Sequence, residues 1–305
     1  MFPGQGSQIV GMGREFFEQD ADARSLFAEA SGVLGYDVAR LCFDGPREQL
    51  NLTEYTQPSL LTASVAALRC LQRAGLRPIA VAGHSLGEYT ALVAAGGLAF
   101  SDAVALVRSR GRYMQAAVED GKGLVCALLG LDREIVAEVC REASAMGVVS
   151  PANFNAPGQI VIAGDKAAVE EAMRLAKTKG CRKAIPLAVS VPVHTCLMSP
   201  AAERLAVEVM RVPLKDLEVP LINNAEAKPI QKASEVRNSL IKQLASSVLW
   251  EDSVRVMQRM GIGTLIEIGP GTVLCGLAKR IAPELRLLNV QNPASLASTV
   301  EALAA

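Results

Sequence analysis

The sequence predicts an α/β protein: a large domain built on a parallel sheet, with a smaller βαββαβ unit inserted into it. Two observations lead there. The apolar run 79–83 ends at Gly83 and is followed by the small, helix-favouring segment 86–95, which reads as strand, tight turn, helix. The same pattern returns as 264–268, Gly269-Pro270-Gly271 and 272–281, and a last strand is expected at 285–290. Between these repeats the rhythm changes. Strands are predicted at 124–129, 148–153, 159–163 and 183–189, with helices at 133–145 and 166–177, and this is the order of a ferredoxin-like unit. Asp132 and Asp165 stand where the two helices would be capped, and Pro157-Gly158 suits a hairpin turn. The small unit is therefore placed at 122–190 and the large domain at 1–121 and 191–305. No internal repeat or low-complexity segment interrupts either.

With 305 residues, half of them apolar, the chain can bury one full core and a satellite. Lys plus Arg and Asp plus Glu balance at 31 each, so there is no broad cationic field for nucleic acid or an anionic membrane. The longest apolar stretches, such as 91–100, are about half of what a membrane span needs, and Met-Phe-Pro-Gly is not a signal peptide, so a soluble, cytoplasmic protein is expected. The seven cysteines, at 42, 70, 126, 140, 181, 196 and 275, are scattered and never form Cys-x-x-Cys, which argues against a disulfide framework or a thiolate metal site. Imidazole chemistry has two candidates, His84 and His194.

Gly83-His84-Ser85-Leu86-Gly87 fits Gly-x-Ser-x-Gly between a strand and a helix, the context of a nucleophile elbow. Such a turn exposes the serine hydroxyl and points the helix's free N–H groups at the reacting centre. By itself the pentapeptide equally fits a glycine-rich turn with a surface serine. A serine nucleophile needs a base, and His84, adjacent in a turn where neighbouring side chains diverge, is badly placed to be one. His194 is the favoured base, in Val191-Pro192-Val193-His194, where the chain returns to the large domain. The loop Phe2-Pro3-Gly4-Gln5-Gly6-Ser7-Gln8 allows close backbone approach, but Ile9 stands where a dinucleotide fingerprint needs its third glycine and no Lys-Ser/Thr follows for a P-loop.

With these residues in place, the chain resembles the malonyl-CoA:acyl carrier protein transacylases of type II fatty acid synthesis and the acyltransferase domains of polyketide synthases. Seven segments stand in family order: 2–8, Thr56-Gln57-Pro58, 83–88, Arg110-Gly111 with Met114-Gln115, 153–159, His194 and 266–271. The resemblance implies an α/β-hydrolase-like large domain, Ser85 as the acylated nucleophile, His194 as its base and the backbone N–H groups of Gln5 and Leu86 as the oxyanion hole. On its own pattern Arg110, between Arg108 and Arg112, reads as a solvated helix residue; the resemblance makes it the partner of malonate's free carboxylate, a role that suits a planar, permanently charged guanidinium. Gln57, Asn155, Val193 and Leu249 are implied to line the site. The resemblance also implies malonyl-CoA and acyl carrier protein as partners, no metal and no cofactor beyond the coenzyme A thioester; a monomer is compatible with the sequence, which leaves the oligomeric state open.

Three departures from the family stand out. The chain begins at Met1-Phe2, where relatives have more residues in a first strand; Val193 precedes the histidine where serine or phenylalanine is usual; and in the segment 247–250 Leu249 stands where relatives often carry glutamine, a position whose backbone carbonyl the resemblance implies takes the histidine's other nitrogen, so that Leu249 can still serve. Lys279 and Arg280, after the 269–271 turn, are candidates for docking an acidic carrier protein, or equally a solvated helix end favoured by its dipole. The alternatives are a serine esterase, against which the inserted unit and Arg110 speak, a polyketide acyltransferase acting in trans, and an idle relative that binds the carrier protein, against which the intact Ser85 and His194 speak.

Overall fold

The computed structural model describes residues 1–119, 121–187 and 191–304. Four short helices open the chain, α1 (Arg14–Gln19), α2 (Ala21–Leu34), α3 (Val38–Asp44) and α4 (Arg47–Leu50), and pack around the long α5 (Thr53–Arg73), which is buried along most of its length. Then come β1 (Val81–Ala82), α6 (Gly87–Ala94) and α7 (Phe100–Ala116), the predicted strand-turn-helix and the helix that returns beside it.

The middle of the chain follows the expected order closely: β2 (Gly123–Leu129), α8 (Arg133–Ala143), β3 (Val149–Ala156), β4 (Gln159–Asp165), α9 (Lys166–Thr178) and β5 (Lys183–Pro186). Residues 188 and 189, included in the predicted last strand, lie outside the described residues. The sheet order is β3-β4-β2-β5, with every pairing antiparallel. Cys126 and Leu128 turn to one face, where they meet Val136, Val139, Cys140 and Ala143 of α8 and Ala168, Val169, Ala172 and Ala176 of α9; Val125 and Ala127 turn to the other. This is period 2 meeting period 3.6. Gly158, at φ 66°, makes the hairpin between β3 and β4. Neither expected cap forms. Asp132 and Asp165 stand at the N-cap positions without a capping bond, and the Asp165 carboxylate instead accepts the Val148 N–H at 2.7 Å from the adjacent strand end.

The remainder is α10 (Ser199–Arg211), β6 (Leu221–Ile222), β7 (Pro229–Ile230), α11 (Ala233–Gln243), α12 (Trp250–Arg259), β8 (Thr264–Ile268), α13 (Val273–Ile281), β9 (Arg286–Val290) and α14 (Pro293–Ala304). The single parallel sheet expected here is in fact two pieces, β1-β6-β7 and β8-β9, and β7 runs antiparallel. Pro220 and Pro229 lack the N–H a ladder needs, and Gly83 turns the chain away, which keeps β1, β6 and β7 at two residues each. Met1 and Phe2 stitch the pieces together: the Phe2 N–H donates to Ala82 O, the His84 N–H to Phe2 O and the Ile268 N–H to Met1 O. No described helix is long and apolar enough to cross a membrane.

Candidate active site

Ser85 sits between the end of β1 and the start of α6 with φ 52°, a conformation that costs a non-glycine residue energy and is kept only where surroundings enforce it. They do so through contact. A Cβ on Gly83 would lie 1.9 Å from the Gly87 carbonyl carbon, and one on Gly87 would lie 2.1 Å from Phe2 O, so both flanking positions must be glycine. Asn224, in the loop after β6, locks the turn: its Oδ1 accepts the Ser85 N–H at 2.6 Å and its Nδ2 donates to Gly83 O at 2.7 Å.

His194 meets this turn from the other side. Its Nε2 lies 2.8 Å from Ser85 Oγ, and its Nδ1 lies 3.0 Å from both Gln243 O and Ser246 O. Carbonyl oxygens only accept, so the proton is on Nδ1 and the Nε2 lone pair faces the serine hydroxyl. His194 is 2% exposed. Burial, reinforced by the Arg110 guanidinium, pushes it down to about 3, so the ring is neutral and ready to accept a proton at neutral pH. Leu249 is not the residue behind it. The Leu249 N–H donates to Asn224 O and its carbonyl accepts from Ser253, because this residue opens α12; the acceptors for His194 lie upstream, at the end of α11.

Arg110, on α7, is 1% exposed rather than solvated. Its Nη2 donates to Ser85 Oγ at 3.0 Å and to Gln243 Oε1 at 3.2 Å, and its Nη1 donates to Gln57 Oε1 at 2.9 Å. Among the described residues no carboxylate touches it, and Nε has no partner. A buried cation surrounded by neutral acceptors beside a serine hydroxyl has a charge left to be balanced by an anion.

The other sequence candidates fall into three groups. Gln57 and Asn155 act at one remove: Gln57 holds Arg110, while Asn155 Oδ1 pairs with His84 Nε2 at 2.8 Å. Val193 is half-buried and packs on the core beside His194. The N–H groups of Gln5 and Leu86 have no hydrogen-bond acceptor among the described residues. Lys279 and Arg280 are exposed at the end of α13, where Lys279 donates to Pro283 O at 3.0 Å, and Arg280 donates to Pro157 O at 2.9 Å and to the Gln159 side chain. Sequence reasoning missed Asn224 and Gln243. Both are buried polar residues without a local motif, and only their long-range partners mark them. Among the described residues no cluster of His, Cys, Asp and Glu could hold a metal ion. A separate apolar cavity of about 400 Å³ is lined by Leu68, Leu71, Ile79, Met257, Ile262 and Leu303 among others, and no candidate reactive residue reaches it.

The family model described as an acyl transferase domain matches residues 1–291. The malonyl CoA-acyl carrier protein transacylase of Escherichia coli strain K12 is 48% identical over 302 residues, covering 99% of this chain and 98% of that protein. Its counterpart in Bacillus subtilis strain 168 is 45% identical over 304 residues, covering 99% and 96%. Among solved structures, an acyl carrier protein S-malonyltransferase from Vibrio cholerae superposes with a TM-score of 0.95 at 49% identity, over 98% of each chain. A malonyl-transacylase in complex with its type II PKS acyl-carrier protein superposes with a TM-score of 0.97 at 47% identity, over 99% of this chain and 98% of that one.

Proposed function

The chain belongs to the acyl transferase family, among the malonyl CoA-acyl carrier protein transacylases, and on that premise we propose how its residues divide the work. The reaction moves a malonyl group from malonyl-CoA to the phosphopantetheine thiol of an acyl carrier protein, in two half-reactions through an acyl-enzyme. Ser85 is the group acylated. Its proton passes to His194 Nε2 as Oγ attacks the thioester carbonyl carbon, and the Gln243 and Ser246 carbonyls hold the imidazolium that forms. The negative oxygen of the tetrahedral intermediate is received by the N–H groups of Gln5 and Leu86, a role supported by their lack of an internal acceptor and by Leu86's place at the head of α6. Collapse breaks the C–S bond, and the departing sulfur takes the proton back from His194. The carrier thiol then repeats the sequence in the opposite direction. No step calls for a metal or a bound cofactor.

Arg110 takes the free carboxylate of malonate. The observation that carries this reading is a fully buried guanidinium, 3.0 Å from Ser85 Oγ, that touches no carboxylate among the described residues. Binding there also serves the base: a carboxylate on Arg110 offsets the positive charge that disfavours the His194 imidazolium.

The finer architecture is part of the same proposal: a hydrolase-like large body at 1–121 and 191–305, carrying a ferredoxin-like unit at 122–190. The strand order β3-β4-β2-β5 and a core separate from that of the large body support it. The protein is proposed to act in the cytoplasm, as a monomer. Lys279 and Arg280 are proposed to meet the carrier protein. Incubating the protein with malonyl-CoA and reading its intact mass, with and without carrier protein, tests the whole scheme. Wild type should gain one malonyl group and lose it to the carrier; a malonyl adduct persisting in Ser85→Ala would overturn the assignment of the nucleophile.

A further inference from the structure

Glu88 lies in the first turn of α6 and is fully buried. Its Oε2 accepts from the Asn224 N–H at 2.9 Å and from Gln243 Nε2 at 3.0 Å, and its Oε1 accepts from Ser239 Oγ at 3.2 Å. All three donors are neutral. The nearest charge is Arg110, and one side chain joins the two: Gln243 donates its amide N–H to Glu88, and its amide oxygen accepts from Arg110 Nη2. The amide cannot be turned over, because Nε2 also donates to Ser85 O at 2.9 Å, so its positive end faces the carboxylate and its negative end the guanidinium. The corner thus buries one cation and one anion, neither touching the other, with an aligned dipole between them. Buried charges persist only when compensated, and here each is the other's nearest compensation.

We propose that Glu88 is the counter-ion of Arg110, a positioning residue that acts through the Gln243 amide and moderates how tightly the site holds the free carboxylate of its acyl group. The inference rests on Arg110 as the residue that binds this carboxylate. When the site is empty, Glu88 balances Arg110. When a malonyl group arrives, its carboxylate adds a second anion to the same cation and feels the field of Glu88 as repulsion. The site therefore selects a carboxylate without trapping it, which a two-step transfer requires: acyl group held too firmly on Ser85 would not pass on.

Glu88→Gln is the substitution that isolates the charge. The new amide oxygen can accept from Asn224 and Gln243 as Oε2 does, and the new NH₂ can donate to Ser239 Oγ once that hydroxyl turns its own proton away, so the contacts stay while the charge goes. Across the distance of one intervening amide, at an effective dielectric of about 20, the malonyl-over-acetyl ratio of kcat/KM should rise by about threefold to thirtyfold, with the change in the KM for malonyl-CoA. A structural role for Glu88 would lower both activities together and leave the ratio alone. An unchanged or lower ratio overturns the inference.

If the variant does not fold, pH reads the same question in wild type. Burial raises Glu88 to about 6. The groups facing it are Gln243 and Ser239 from α11, Asn224 from the loop after β6, Arg110 from α7 and Tyr89 on its own helix; of these only Arg110 is charged, and Tyr89, pushed up to about 12, stays neutral. His194, at about 3, does not titrate in this range. The ratio should be flat above pH 7 and climb as pH falls through about 6, as Glu88 takes up a proton; a flat or falling ratio counts against the proposal. Arg110→Ala, measured alongside, separates the two readings. If it leaves the ratio unchanged, the carboxylate is bound elsewhere and the premise fails. If it collapses the ratio while Glu88→Gln leaves it at the wild-type value, the premise stands and the counter-ion does not.

Discussion

The β2–β5 segment and the corner around Ser85 are built by different rules. Between β2 and β5 the side chains packed under the helices are apolar, the buried polar side chain is Asn153 alone among the described residues, and no non-glycine residue there has a positive φ. The corner around Ser85 is the reverse. Gln57, Glu88, Arg110, His194, Asn224, Ser239 and Gln243 are all buried, and both residues proposed to react, Ser85 at φ 52° and His194 at φ 62°, hold left-handed backbone. Packing is diffuse and forgiving, whereas a buried polar network depends on every partner. One region should therefore respond to substitution in its stability and the other in its chemistry.

The largest expected effect is at His194. His194→Ala removes the acceptor 2.8 Å from Ser85 Oγ and should slow acylation by roughly a hundredfold or more. Single-turnover acylation by malonyl-CoA, followed by intact mass, measures it, and an unchanged rate would move the base elsewhere. Next comes Arg110→Ala, which on the proposed role of Arg110 leaves the substrate carboxylate unpaired in a buried pocket at a cost of about 2 to 5 kcal/mol. Malonyl transfer should fall by roughly thirtyfold to several thousandfold, at 1.4 kcal/mol per factor of ten, while acetyl transfer escapes that penalty. Parallel loss with both acyl donors would mean that Arg110 only supports the corner.

The same contrast explains what could be read from the sequence. Alternation and helical periodicity are local, so the strands and helices from 123 to 186 are predicted nearly to their ends. The elbow is also legible, since Gly83 and Gly87 are required by contacts within five residues of chain and with Phe2. Gln243 is not. It touches Ser85, Glu88, Arg110 and His194, which approach it from three other segments, and a glutamine near the end of an amphipathic helix looks like solvent-facing surface. The assignment of the His194 acceptor to the segment at Leu249 failed for that reason, as no pattern within the segment shows which carbonyl turns inward. The caps at Asp132 and Asp165 failed because cap propensity is a local preference, and at Asp165 a neighbouring strand end offered a better donor.

A substitution in the small unit should show the opposite profile. Leu128, 1% exposed, points from β2 into the core under α8 and α9. Leu128→Ala should cost about 2 to 5 kcal/mol, seen as a lower urea midpoint, while the malonyl-over-acetyl ratio below the transition stays as in wild type. A changed ratio would show that the small unit tunes acyl selection, and the division between the two regions would not hold.

The smallest effect concerns the residues where the two regions meet. Arg280 reaches from α13 to the β3–β4 turn, bonding Pro157 O and the Gln159 side chain, whereas among the described residues Lys279 Nζ donates to Pro283 O alone, on its own side. Arg280→Glu therefore loses both a brace and a charge, and its result alone would not say which mattered. Lys279→Glu changes the charge with little structural cost, and Arg280→Gln keeps side-chain donors while removing the charge. If these residues meet an acidic carrier protein, both substitutions should raise the KM for carrier by about twofold to fivefold, less at high salt, and leave the KM for malonyl-CoA nearly unchanged. Arg280→Glu should add a lower urea midpoint to that pattern, since the turn loses its tie to α13. Should the charge-only variants leave the carrier KM at the wild-type value while Arg280→Glu raises it, Arg280 is a brace between the regions and the carrier docks elsewhere.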